Sequence, residues 1–218
     1  MNYPRRIARA VIGLIIFGCG SCCNIQANIG YGAWEAFSIG VGAKLGLSFG
    51  TVLQASGLVI LIIDLLLRET IGLGTLLDIY IVGATADLLR GSGLVPVMTS
   101  FPAGVVMLLC GQLLLAVGSY FYISAGLCCG PRDALMVALC KRFPRTPVGV
   151  IRFFIEGGAL LTGWLCGAKI GVGTVVAVFG ISFILQAVFS LLRFDVSTIE
   201  HEDLLATARN LLSPKAPR

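Results

Sequence analysis

One five-residue pattern occurs twice in the chain, and its spacing constrains the fold more than any other feature. Residues 71–75 read Ile-Gly-Leu-Gly-Thr, and 99 positions later residues 170–174 read Ile-Gly-Val-Gly-Thr. A second pair of related segments, 32–36 and 130–134, is separated by 98 positions. Two matched pairs with almost the same offset indicate that the chain contains a duplicated unit.

The composition indicates the environment in which this unit folds. Hydrophobic residues make up 57% of the 218 residues and charged residues only 12%, whereas a soluble domain has about 45–50% and about 25%. The mean hydropathy is +0.94. The net charge of +5 comes from basic residues beside apolar segments, with no basic and aromatic surface for nucleic acid. We therefore predict an all-α protein embedded in a lipid bilayer, with no nucleic-acid partner.

Six segments are apolar enough to be membrane spans, for which about 20 residues are needed. They cover residues 7–28, 50–67, 75–89, 103–123, 148–166 and 174–192. The third is short, and we expect it to extend to Gly72 or Gly93. Segments 33–46 and 131–144 are too short to span and too apolar for ordinary loops. We predict that both form short helices that lie along the membrane or dip into it.

Three spans and one short helix make one repeat, and an odd number of spans forces the second copy to be inverted. The predicted units are a first repeat (1–98), a second repeat (99–193) and a cytoplasmic tail (194–218) with a helix beginning after Ser197. With the N-terminus inside, ten Lys and Arg residues face the cytoplasm and three face the outside. This bias obeys the positive-inside rule, and it places both termini in the cytoplasm.

Two repeat-related acids are the leading candidates for a binding site, because ionisable residues at membrane depth are costly and usually functional. Glu35 and Asp133 each follow a glycine and lie in the first turn of a predicted short helix. If these helices dip into the membrane, the acids meet near its midplane; charge placement at an interfacial helix end is the alternative. Trp34 and Arg132 complete the predicted site, where Arg132 holds an anionic group or neutralises Asp133.

Further charges lie within the predicted spans. Glu156 is the deepest acid, and Arg152 lies one helical turn earlier, so the two can pair. Such a pair can be a structural neutralisation, a substrate clamp or a proton-coupling site. Asp78 lies about one turn into the third span without a local base, and we add it to the predicted substrate-binding residues. Polar residues such as Gln112 and Asn28 can line a polar path or tie helices together.

The repeated Gly-x-Gly-Thr is not a phosphate-binding loop, since it lacks the Gly-Lys-Ser/Thr ending that binds phosphate and magnesium. It precedes spans three and six, where glycines let the backbone unwind or pack tightly. We predict a hinge or packing role for Gly72, Gly74, Thr75, Gly171, Gly173 and Thr174.

Cysteine and histidine usage argues against a metal centre or an enzyme. Cys19, Cys22 and Cys23 could bind a soft metal, but the second repeat has Tyr120 and Phe121 in place of the last two. No Ser-His-Asp set, His-Glu-x-x-His motif or intramembrane histidine is found in the sequence. We therefore predict no metal, no cofactor and no enzymatic activity.

Several motifs resemble one known family. Residues 125–136, which read Ala-Gly-Leu-Cys-Cys-Gly-Pro-Arg-Asp-Ala-Leu-Met, resemble the signature of YczE-like proteins in the wider YczE/YyaS/YitT group. Segments 27–35, 47–51 and 72–77 agree, and the resemblance covers roughly residues 5–193. The family more often has Gly-Pro-Trp-Asp where this chain has Gly-Ala-Trp-Glu at 32–35. The resemblance implies a bacterial inner-membrane protein with a transport role and names no substrate.

Together these features predict a secondary transporter of a small polar or charged solute, which binds at the interface of two inverted repeats. Two alternatives remain open at this point. One is the substrate-binding membrane subunit of an ATP-driven vitamin importer, and the other is a structural membrane protein without transport. Glycine-lined helix faces also permit a homodimer.

Overall fold

The computed structural model describes residues 3–127 and 129–194, and all of the regular secondary structure in this part is helical. The predicted tail helix after Ser197 lies outside the described residues. The helices, in chain order, are α1 (Tyr3–Gln26), α2 (Ala33–Leu45), α3 (Phe49–Leu66), α4 (Leu73–Ser92), α5 (Phe101–Ile123), α6 (Pro131–Arg142), α7 (Val148–Leu165) and α8 (Val172–Leu191).

The predicted spans correspond to α1, α3, α4, α5, α7 and α8, and the predicted short helices correspond to α2 and α6. Five of the described helices, all of these long ones except α4, have the length and apolar composition to cross a membrane. Helix α4 has 20 residues but carries three charges, Asp78, Asp87 and Arg90. The prediction of an all-helical membrane protein is confirmed, with five helices that are apolar enough to span.

The order and packing of the helices repeat along the chain. Helices α1–α4, the first half, have 24, 13, 18 and 20 residues, and α5–α8, the second half, have 23, 12, 18 and 20. Inter-helix contacts also come in corresponding pairs. Within each half, the first helix packs on the last, which are α1 on α4 and α5 on α8. Between the halves, each short helix packs on the third helix of the other half, which are α2 on α7 and α6 on α3. The sequence duplication therefore extends to the three-dimensional arrangement.

Helices α1 and α5 form the centre of the molecule, where they run antiparallel and their backbones touch. A Cβ atom on Gly13 would lie 2.8 Å from the carbonyl oxygen of Gly118, and one on Gly20 would lie 2.7 Å from that of Gly111. Only residues without a side chain allow this approach, which is how membrane helices gain close van der Waals packing.

The repeated Gly-x-Gly-Thr links each half to the other. The backbone N–H of Gly74, at the start of α4, donates to the carbonyl oxygen of Leu127 at 2.7 Å. The N–H of Gly173, at the start of α8, donates in the same way to Ile29 at 2.9 Å. The Thr75 hydroxyl adds a bond to the carbonyl oxygen of Cys129 at 2.7 Å. Each half thus supplies carbonyl groups that satisfy the free N–H groups of the other half's last helix.

These bonds fix the two linkers that lead into the short helices. Asn28 (φ 55°) and Gly126 (φ 67°) occupy corresponding positions just after α1 and α5, and both have left-handed backbone conformations. Left-handed residues commonly end helices, and here they turn the chain back towards the interior. Gly30 (φ 124°) has no room for a side chain, since a Cβ atom would lie 2.8 Å from the backbone nitrogen of Gly171. As a result, α2 and α6 begin inside the molecule.

Candidate functional site

The N-terminal ends of α2 and α6 meet where the side chains of Trp34 and Arg132 touch. The guanidinium carbon of Arg132 lies 4.2 Å from the centroid of the Trp34 ring, a cation–π arrangement. Trp34 and Arg132 are 98 positions apart, and each is the second residue of its helix. They therefore occupy the same position in the two halves, and their contact lies where the halves join.

Two adjacent cavities surround this contact. The central cavity has a volume of about 330 Å³, and the side cavity, of about 150 Å³, shares Trp34 and Arg132 with it. Small-molecule sites commonly measure about 300–1,000 Å³, so the central cavity has the size for a small solute. Both cavities are bounded by helices from both halves, including α1, α5 and the start of α6.

All seven residues predicted to bind substrate line these cavities. The walls of the central cavity include Trp34, Asp78, Arg132, Asp133, Arg152 and Glu156. Glu35 lies in the wall of the side cavity. The structure brings the seven side chains together, and their role in binding a solute remains a prediction.

The two repeat-related acids are held by hydroxyl groups of α1 and α5. The Ser21 hydroxyl donates to Glu35 Oε1 at 3.1 Å, and the Tyr122 hydroxyl donates to Asp133 Oδ2 at 3.3 Å. Glutamate, the acid with the longer side chain, is thus paired with the short side chain of serine. Aspartate, the acid with the shorter side chain, is paired with the long side chain of tyrosine. Both acids also lie in the first turn of a helix, where the helix dipole favours negative charge.

Arg152 and Glu156 form an ion pair along one face of α7, with 2.8 Å between Arg152 Nε and Glu156 Oε1. The Arg152 side chain is 44% exposed and that of Glu156 is 24% exposed. The pair is therefore only partly buried, and both residues line the central cavity. Its role as a substrate clamp or proton-coupling site remains a prediction.

Asp78 and Arg132 are two charges of the site that lie within electrostatic reach of each other. Asp78 lies beside the start of α6, since a Cβ atom on Gly130 would be 2.9 Å from Asp78 Oδ2. Within residues 3–127 and 129–194, neither Asp78 nor Arg132 forms a hydrogen bond or an ion pair. Both side chains line the central cavity, and their contact with a solute remains a prediction.

Sequence reasoning missed several polar residues of the site. Ser21, Tyr122 and Asn24 were not predicted, although Ser21 recurs 98 positions later as Ser119, which also lines the central cavity. Gln112, predicted to line a polar path, lies in the wall of the side cavity together with Asn24. Their side-chain carbonyl oxygens are buried and find no hydrogen-bond donor among the described residues.

Other predicted positions lie outside the cavities. Asn28 ties loops together, since its amide donates to Met98 at 3.2 Å and its oxygen accepts from Lys169 at 2.9 Å. The six glycine and threonine positions of the repeated motif cap α4 and α8 and pack against the opposite half, and their hinge role remains a prediction. In the described part of the chain, no three His, Cys, Asp or Glu side chains form a group that could hold a metal ion, so no cavity residue is assigned to a metal.

The fold and the cavity define an integral membrane protein of helices with a charged cavity between its two halves. A family profile described as "Family of unknown function (DUF6198)" matches residues 4–190, and the chain belongs to this family. It is also similar to the uncharacterized membrane protein YczE of Bacillus subtilis, with 28% identity over 181 residues and 82% of each chain covered. The predicted YczE-like identity is confirmed.

A further relative is an uncharacterized protein of Haemophilus influenzae. It is 28% identical over 186 residues, which cover 84% of this chain and 82% of the relative. No solved structure matches the chain.

The contact between Trp34 and Arg132 can be measured by fluorescence, because the chain has only two tryptophans. In a Trp164→Phe background, the emission reports on Trp34 alone. We expect Arg132→Gln to shift the emission of Trp34 and to raise its quenching by acrylamide, since a cation no longer covers the ring. Arg142→Gln, at the exposed far end of α6, is the control. Identical spectra for both variants would contradict the contact.

Proposed function

We propose that the protein is a secondary transporter of a small polar or charged solute. In this proposal it has six spans in two inverted repeats, and the solute binds in the central cavity between them. The observation that carries the proposal is a cavity with charged walls at the junction of the halves, where the corresponding residues Trp34 and Arg132 meet. Transporters built from inverted repeats bind their substrates at such interfaces, near the membrane midplane.

The antiparallel course of α1 and α5 supports the inverted arrangement. These helices occupy corresponding places in the two halves, and their backbones approach at Gly13–Gly118 and at Gly20–Gly111. The order of contacts is reversed along the second helix, so one helix runs up as the other runs down. Helix α4 then acts as the sixth span, and its charges are tolerated because Asp78 faces the cavity and Asp87 accepts from the backbone N–H of Gly50 at 2.9 Å.

Loop charges support the orientation in the membrane. With both termini in the cytoplasm, and with Arg132 and Arg152 left out because they line the central cavity, the positive-inside rule is satisfied by eight basic residues (ten minus two) against three. The ion pair between Lys141 and Glu69, at 2.7 Å, joins two segments that this orientation places on the cytoplasmic side. We accordingly propose the bacterial inner membrane as its location.

The two halves differ in one respect that fits alternating access. Helix α3 packs against α4, but the corresponding helices α7 and α8 barely touch. Within its apolar stretch, α3 is 44% buried and α7 only 17% buried. The central cavity has walls on both α7 and α8, so it opens between them. Alternating access would follow if the two halves exchanged these helix packings. Helix α7 would then pack on α8, α3 would separate from α4, and the cavity would open at a different place.

Glycine positions indicate where the closing contact would form. A Cβ atom on Gly83 of α4 would lie 2.9 Å from the carbonyl oxygen of Gly50 on α3. The corresponding residues 99 positions later are Gly149 on α7 and Ser182 on α8. A Cβ atom on Gly149 would meet no described atom within 4 Å. Gly149 is therefore small enough for close helix packing, but no described residue packs against it in this structure.

The central acids are tested by transport. A solute is first selected by a thermal-shift screen of the purified protein against metabolites, vitamins, thiols and ions. We expect Glu35→Gln and Asp133→Asn each to lower its flux in proteoliposomes at least about tenfold, the effect of roughly 1.4 kcal/mol of lost interaction, while the protein still folds. Unchanged flux in both variants would refute the site. Co-purification of ATPase subunits would instead favour the vitamin-importer alternative.

The exchange of helix packing is tested by filling the space beside Gly149. Gly149→Leu touches nothing in this conformation, so the melting temperature should change by less than about 3 °C, or roughly 1 kcal/mol. Solute flux should fall at least about tenfold because α7 can no longer approach α8. Gly91→Leu, which also has open space around it, is the matched control and should keep its flux. Wild-type flux in Gly149→Leu would contradict the exchange.

A further inference from the structure

The charges around the two cavities do not balance. Four carboxylates line them, those of Glu35, Asp78, Asp133 and Glu156, against the two guanidinium groups of Arg132 and Arg152. Arg152 is already paired with Glu156. With all six groups ionised, the walls carry a net charge of −2. Such a cavity attracts cations and repels anions.

One cation already occupies the most favourable place in the cavity. The Arg132 guanidinium lies over the Trp34 ring and shares the cavity wall with Asp78 and Asp133. It contacts the ring without forming an ion pair or a hydrogen bond to any described residue. Faces of tryptophan are favourable sites for ammonium and guanidinium ligands. Arg132 therefore holds this place, within electrostatic reach of Asp78, Glu35 and Asp133.

Two buried acceptors in the side cavity point to the same chemistry. Asn24 is 1% exposed and Gln112 is 2% exposed, and both line the side cavity. Each has a carbonyl oxygen with no donor among the described residues. Buried acceptors normally have a hydrogen-bond partner, so a ligand with N–H donors complements Gln112 in this wall better than a ligand without donors, whereas the Asn24 oxygen faces Gly111 where α1 and α5 touch.

We infer that the cavities bind a small organic cation with N–H donors, an ammonium or guanidinium compound, which replaces Arg132 over Trp34 and is neutralised by Asp78. This inference rests on the proposed function and names the class of its substrate. The solute enters the central cavity, Arg132 leaves the ring, and the distal end of the solute reaches towards the amides of Asn24 and Gln112. A central volume of about 330 Å³ restricts it to a small molecule.

The test uses agmatine as the probe, because it carries both an ammonium and a guanidinium group. Binding to the purified full chain is followed by the thermal midpoint and, in the Trp164→Phe background, by the emission of Trp34. We expect agmatine to raise the midpoint and to change the emission saturably. Tetramethylammonium, which has no N–H donor, should bind at least about tenfold more weakly, the effect of losing one charge-assisted hydrogen bond. Succinate and glycerol at matched ionic strength should have no effect.

Two variants separate the site from general charge effects. Asp78→Asn should weaken agmatine binding at least about tenfold. Glu69→Gln removes an acid outside the cavities that pairs with Lys141, and it should bind agmatine as the unaltered protein does. Saturable binding of succinate, no response to agmatine, or equal agmatine affinity in Asp78→Asn would each overturn the inference. None of these results affects the transport proposal, which is tested separately by the flux of the screened solute in Glu35→Gln and Asp133→Asn.

Discussion

A helix that begins inside a membrane protein needs acceptors for its first N–H groups, and here the opposite half of the chain supplies them. The N–H groups of Gly74 and Gly173 donate to carbonyl groups of the loops that precede α6 and α2. Gly74 and Gly173 are buried, and a buried backbone group without a partner costs about 1–3 kcal/mol, so these bonds stabilise the contact between the two halves. Because they anchor the loops before α2 and α6, they also set where these helices begin and therefore where Trp34 and Arg132 lie.

The cavity follows from this arrangement. Two short helices that begin inside the molecule bring their N-terminal ends, with Glu35 and Asp133, to the junction of the halves. Charged side chains at membrane depth are costly unless they are paired, hydrogen-bonded or in contact with a water-filled cavity. Hydroxyl groups of Ser21 and Tyr122 bind the two acids, whereas Asp78 and Arg132 are left to the cavity. Glu35 and Asp133 are thus held in position by hydrogen bonds, whereas Asp78 and Arg132 are proposed to contact a solute.

The sequence predicted the helices well because they depend on local signals, and it singled out seven residues that line the two cavities and whose role in binding remains a prediction. Long apolar runs determined the spans to within a few residues, and the duplicated glycine and acid segments drew attention to Glu35 and Asp133. Asn24 and Tyr122 were missed because they correspond to each other as different residue types, so the repeat does not reveal them. The open contact between α7 and α8 could not be predicted either, since the sequences of α3 and α7 have equal length and similar composition. That difference arises from packing between helices that are distant in the sequence.

The central claim is that the second half is an inverted copy of the first, and it depends on whether α4 crosses the membrane. The most direct measurement is the location of the loops on either side of α4, residues 67–72 and 93–100. A reporter active only in the cytoplasm and one active only outside are inserted in turn into each loop. The account predicts that the loop at 67–72 is cytoplasmic and the loop at 93–100 is outside. Both loops on the same side would mean that α4 does not span, and the inverted repeat would be wrong.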